Sequence, residues 1–167
     1  MDVIDELVET NREYSARVPD QHLDVKPSRQ LTIVTCMDSR LDVFQALGLQ
    51  DGEAHILRNA GGVITDDVIR SLAISQRKLG TEAIMLIHHT NCGMQTITDD
   101  GFRAELEDAT GTAPAFAIES FTDVEKDVAQ SIRRVRRSEF IPNRSNVRGF
   151  VYDVTNHALT EVEVSDD

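Results

Sequence analysis

The stretch LTIVTCMDSRLD, residues 31–42, decides how the rest of the chain is read. It opens as a short apolar run rich in β-branched residues and ends abruptly in Cys36, Asp38 and Arg40. Such a run suits a strand buried on both faces. Two more runs have the same character: AHILR (54–58), followed at once by NAGG (59–62), and AIMLIHH (83–89), followed by TNCGM (90–94). Helical patterns alternate with them. Leu41–Leu47 is a short one ending near Gly48. Asp66–Leu79 is longer, with Val68, Ile69, Leu72, Ala73 and Leu79 at helical spacing and Gly80 as its stop. The alternation predicts an α/β fold with a central, mostly parallel β-sheet flanked by helices.

The remaining segments fit around this frame. Residues 1–17 read as a helix with Val3, Ile4, Leu7 and Val8 on one side, and VPDQHLDVKPSRQ (18–30) as a connector. Residues 99–122 read mostly as loop with a short helix, and Asp123–Arg137 as another helix. VRGFVYDV (147–154) is a late strand, and ALTEVEV (158–164) alternates as an edge strand would, with Thr155, Asn156 and His157 as the turn between. A chain of 167 residues is one ordinary domain, here 1–167, divided into the helix and connector of 1–30 and an α/β core of 31–167.

Composition narrows the functional classes. The formal net charge is −12, which disfavours nucleic acid and anionic membrane as partners. Arginine supplies nearly all the positive charge, because Lys26, Lys78 and Lys126 are the only lysines. An acidic, lysine-poor surface of this kind is halophile-like, since salt screens the repulsion. No apolar run approaches the roughly 20 residues of a membrane helix, and the acidic start MDVIDELVET lacks the basic region of a signal peptide. A soluble, cytoplasmic protein is expected. Two cysteines do not make a disulfide scaffold, so each is a buried thiol, a metal ligand or a reactive group.

Ligands of an open parallel sheet bind at the carboxyl ends of its strands. Cys36 follows the first apolar run, NAGG the second, and His89 and Cys92 the third, so three separate segments deliver polar residues to one edge. Cys36, His89 and Cys92 make a Cys2His set. Thiolate and imidazole are ligands that zinc prefers, and three of them leave a fourth position open. His88 points to the opposite face of its strand and reads as a buried core histidine. Arg40 can grip Asp38 through two parallel hydrogen bonds, holding it ionised beside the metal, or Asp38 can swing in as a fourth ligand. Gly61 and Gly62 let the backbone approach closely. Asp66 and Asp67 serve to charge the start of a helix, and RRVRR (133–137) to complement the end of one. His22, His55 and His157 are isolated surface or packing residues.

CMDSR (36–40), NAGG (59–62) and HTNCG (89–93) together resemble the motif set of a β-class carbonic anhydrase, in particular its short, minimal archaeal and actinobacterial members. The resemblance runs from about Leu31 to the C-terminal strands. It implies one Zn2+ per chain on Cys36, His89 and Cys92, an Asp38–Arg40 catalytic dyad, and reversible hydration of CO2 to bicarbonate and a proton by zinc-bound hydroxide. It also implies a homodimer, or a tetramer built as a dimer of dimers, with the N-terminal helix reaching across to the partner subunit. Asn91 stands where close relatives often carry aspartate, at a position that is not a ligand. A substrate pocket is expected around Met37, Gly61, Gly62 and Val63. Two thiolates offset the charge of zinc, so the activated water should titrate above that of a three-histidine site.

Other functions fit less of the sequence. Hydrolysis of carbonyl sulfide or carbon disulfide would use the same ligands, and the access route would discriminate. A Cys-Arg phosphatase needs a longer loop between the two residues, and Asp38 would repel its anionic substrate. A Cys36–Cys92 redox pair is the other thiol reading, and the presence of Arg40 argues against a zinc site that Asp38 closes permanently.

Overall fold

The computed structural model describes residues 2–165. The expected sheet is present: five strands in the order β2-β1-β3-β4-β5, the first four parallel and the last antiparallel. The strands are β1 (Leu31–Cys36), β2 (Ala54–Asn59), β3 (Ala83–His89), β4 (Val147–Tyr152) and β5 (Leu159–Val162). The helices are α1 (Val3–Arg17), α2 (Val43–Leu47), α3 (Asp66–Leu79), α4 (Asp99–Thr110) and α5 (Val124–Arg137).

β1 is nearly wholly buried, as its unbroken apolar run requires, and lies between β2 and β3. Its side chains alternate between two cores. Val34 packs with Leu72, Leu86, Val128, Ile132 and Val135 on the side of α3 and α5. Ile33 packs with Leu41, Val43, Ile87 and Tyr152 on the other. α5 lies so close to β4 that a side chain at Gly149 would collide with Val128 and Ile132.

Local chemistry sets the helix ends. Asp42 caps α2, accepting from the amide of Gln45, so the helix starts two residues later than the apolar pattern suggests. Thr65 caps α3, Asp66 and Asp67 fill its first turn, and Gly80 closes it in the left-handed conformation. A larger correction concerns residues 99–122, which hold the full twelve-residue helix α4. Thr98 caps it through a hydrogen bond from Gly101, Asp99 and Asp100 complement its dipole, and Gly111 ends it. The helix buries none of its side chains, so it leaves little hydrophobic periodicity to read. β5 is shorter than 158–164 at both ends, and the turn before it spans 154–156, one residue earlier than expected.

Candidate metal centre

Parallel pairing brings the ends of β1, β2 and β3 to one edge, with Cys36 opposite Asn59. Cys36 is the last residue of β1, His89 the last of β3, and Cys92 follows after the tight turn Thr90–Asn91. Asn91 adopts φ +52°, a conformation that asparagine tolerates better than most residues. The three side chains converge: one ligand atom from each lies within 4.8 Å of the others, and all three residues are buried. The two sulfurs are 3.9 Å apart.

The donor set fits a divalent cation. His89 Nδ1 lies 2.8 Å from the carbonyl of Thr90. That oxygen can only accept, so Nδ1 carries the hydrogen and Nε2 presents its lone pair. Nε2 is buried beside the sulfurs and makes no hydrogen bond. The Cys92 thiol donates toward Cys36 and holds the Cys36 thiol well below its usual range, while Cys92 itself is driven upward by sharing its hydrogen. Two thiolates this close repel, and a cation between them is what allows both to ionise. Burial pulls His89 down, but Cys36, Thr90 and Asp38 outweigh it and the net shift is upward.

Asp38 and Arg40 form the predicted pair beside the cluster. Arg40 donates from Nε to Asp38 Oδ1 at 2.9 Å and from Nη2 to Oδ2 at 2.7 Å. The Arg40 amide adds a third bond to Oδ1, and Nη2 also reaches the carbonyl of Asn91 at 2.8 Å. These contacts, led by the guanidinium, hold the Asp38 carboxyl far below the usual carboxylate range. Asp38 Oδ2 stands 3.7 Å from His89 Nε2.

The other expected residues divide. Val63 is buried and packs with Cys36, Cys92 and Phe121. Met37 is 66% exposed. Gly61 and Gly62 have φ of +86° and +69°, and a Cβ on Gly62 would lie 2.9 Å from the Cys36 nitrogen, so the close backbone approach is real. His88 is wholly buried, as expected, and stacks on Phe121. His55 bonds to Ser75, His157 to Tyr152, and His22 is exposed. Sequence reading missed Arg58, whose guanidinium donates to the carbonyls of both Cys36 and Asp38 and so shapes the loop that carries the dyad. It also missed Asn59, which closes its turn by donating to the carbonyl of Val63. Both adjoin or belong to the NAGG motif, and that adjacency was the available signal.

Residues 31–164 match the family model described as carbonic anhydrase. Beta-carbonic anhydrase 1 of Mycobacterium tuberculosis is 49% identical over 162 residues, covering 97% of this chain and 99% of the relative. The carbon disulfide hydrolase of an Acidianus strain is 32% identical, covering 79% of this chain and 76% of the relative. The crystal structure of a carbonic anhydrase from Streptococcus mutans superposes with a TM-score of 0.91 at 43% identity, covering 98% of this chain and 99% of that one. With the Cys2His cluster and this sheet, these likenesses define an α/β enzyme of the carbonic anhydrase class. The chain belongs to the β-carbonic anhydrase family. Among the described residues, no helix is long and apolar enough to cross a membrane.

Proposed function

We propose that the chain catalyses the reversible hydration of CO2 to bicarbonate and a proton, with one Zn2+ held by Cys36, His89 and Cys92. The observation that carries this reading is the placement of Asp38, locked by Arg40 and only 3.7 Å from the unpartnered Nε2 of His89. Zinc, when bound, supplies the Lewis acidity that makes water nucleophilic near neutral pH. Arg40 keeps Asp38 ionised, so Asp38 can only accept a hydrogen bond. It takes the O–H of the nucleophile and turns the lone pair of that oxygen toward the carbon of CO2. Both Asp38 oxygens are engaged by Arg40, so Asp38 would serve to orient the nucleophile rather than to hold the metal with Cys36, His89 and Cys92. The buried wall of Val63 and Phe121 suits an apolar substrate.

Hydrolysis of carbon disulfide or carbonyl sulfide is the second reading, favoured by the likeness to the Acidianus enzyme. The greater identity to a β-carbonic anhydrase supports CO2 as the first reading. The test is stopped-flow CO2 hydration by zinc-quantified protein, at low and high salt, from neutral to alkaline pH. Fast hydration with one zinc per chain supports the reading, and a salt requirement would support a halophile's surface. Full activity well below neutrality would refute the argument that two thiolates raise the pKa of the activated water. Stoichiometric zinc without hydration would move the assignment to the sulfur substrates.

The quaternary reading is a homodimer, alone or paired into a tetramer. Val3, Ile4, Leu7 and Val8 form an apolar stripe on α1, and none is buried. A cytoplasmic setting suits two free cysteines that must stay reduced.

A further inference from the structure

The turn after β2 touches the candidate metal centre through its backbone. The Gly61 amide faces the Cys36 sulfur, and Gly62 lies against the backbone of Thr35 and Cys36. Two consecutive glycines at positive φ are the least constrained kind of backbone, so something outside them must fix where that amide points. One restraint is Asn59 on Val63. The other is His88, whose Nε2 lies 3.0 Å from the Gly62 carbonyl.

His88 is held from three sides. Its strand sends it away from His89, toward α5. Phe121, which itself packs against Cys36 and Cys92, stacks on its ring at 5.8 Å and 14°. Asp127 of α5 places Oδ2 3.3 Å from Nδ1. Neither Nδ1 nor Oδ2 makes any hydrogen bond in this arrangement, and both atoms are shut away from water. The Gly62 carbonyl can only accept, so Nε2 carries a hydrogen. A single proton between Nδ1 and Oδ2 then satisfies both buried atoms. Asp127 thus faces the one ring atom that selects which nitrogen points at the turn.

We propose that His88, oriented by Asp127, is a positioning residue that clamps the Gly62 carbonyl and so aims the Gly61 amide at the Cys36 sulfur. Metal-site partners of this kind commonly change affinity by about 10–100-fold when removed. The proposal rests on the reading of Cys36 as a zinc ligand.

The experiment compares His88→Met, which keeps volume without a donor, with His88→Gln, which keeps a donor, and with Asp127→Asn, whose amide can donate to Nδ1. Zinc affinity is measured by chelator competition, and the cobalt-substituted proteins are compared by their thiolate-to-cobalt absorption band. Thermal unfolding of the metal-free proteins is the control for folding. His88→Met should weaken zinc binding about 10-fold or more and shift the band, while His88→Gln and Asp127→Asn stay within about 3-fold of the parent. Should His88→Met fail to fold, Asp127→Leu removes the orienting group from outside the turn and should shift the same band. Parental affinity and an unchanged band in His88→Met, or in Asp127→Leu if it stands in, would overturn the proposal. So would equal losses in the Met and Gln variants, because packing alone would then explain the effect. A parent protein that takes up no zinc would overturn the metal-site reading itself, and this proposal with it.

Discussion

Replacing Gly62 by alanine should damage both the fold and the metal centre, and two other glycines supply the controls. At φ +69° an alanine costs about 1–2 kcal/mol for its conformation alone. Its Cβ would also sit 2.9 Å from the Cys36 nitrogen and from the Thr35 carbonyl carbon. Those atoms belong to the most enclosed strand of the sheet and cannot retreat, so the turn must move instead. Overpacking of this kind costs about 1–3 kcal/mol more. Gly48 has almost the same φ, +64°, with no atom within 4 Å, so Gly48→Ala carries the conformational penalty by itself. Gly149→Ala presses on the Val128 and Ile132 side chains, far along the chain from the turn. Urea unfolding of the metal-free proteins should therefore rank Gly62→Ala below Gly48→Ala by about 1–3 kcal/mol. Zinc affinity should fall only in Gly62→Ala, because only there does the Gly61 amide leave Cys36. Equal stability of the Gly62 and Gly48 variants, or parental zinc affinity in Gly62→Ala, would refute the argument.

Three further outcomes follow from other parts of the molecule. Arg40 depresses the Asp38 carboxyl in the folded state, so the pair contributes stability above the ordinary carboxylate range and loses it as the pH falls through that range and below. Asp38→Asn should flatten the acid limb of urea midpoint against pH, and an unchanged limb would show that the pair does not stabilise the fold. Burial raises the Asp127 carboxyl to about 6, so the folded chain binds a proton there that the unfolded chain releases near 4, and the group's contribution falls as pH rises between them. Asp127→Asn should gain on the parent across that window by up to about 3 kcal/mol, and a constant difference from pH 4 to 7 would contradict the assignment. Ser75 bonds to Thr32 and Thr81, each at 2.7 Å, and to His55 at 2.8 Å. Ser75→Ala leaves these groups short of a partner and should cost about 1–3 kcal/mol in urea while zinc affinity stays at the parental level.

What could be read in the sequence depended on how local its cause was. β1, β2 and β3 were visible because buried strands write themselves as continuous apolar runs, and Cys36, His89 and Cys92 because each closes or follows one. Arg40 could be paired with Asp38 because the partner is two residues away. α4 was underread because a helix without buried side chains shows only its caps, and Gly101 near its start looks like a breaker. Arg58 escaped notice because its carbonyl partners lie across a strand pairing that only the folded register creates. The His88–Asp127 contact joins a strand to a helix thirty-nine positions later, and no spacing rule connects them.

α1 has a consequence of a different kind. A free helix of fifteen residues is marginal in water, and this one buries none of its side chains. In the homodimer proposed above, its order would be borrowed from the partner that covers its apolar stripe, and helix formation there would be a second-order process. Its amides should exchange faster on dilution, while those of β1 and β3 exchange at a rate that concentration does not touch. The chain would thus carry a concentration gauge at one end, readable without disturbing the chemistry at the other.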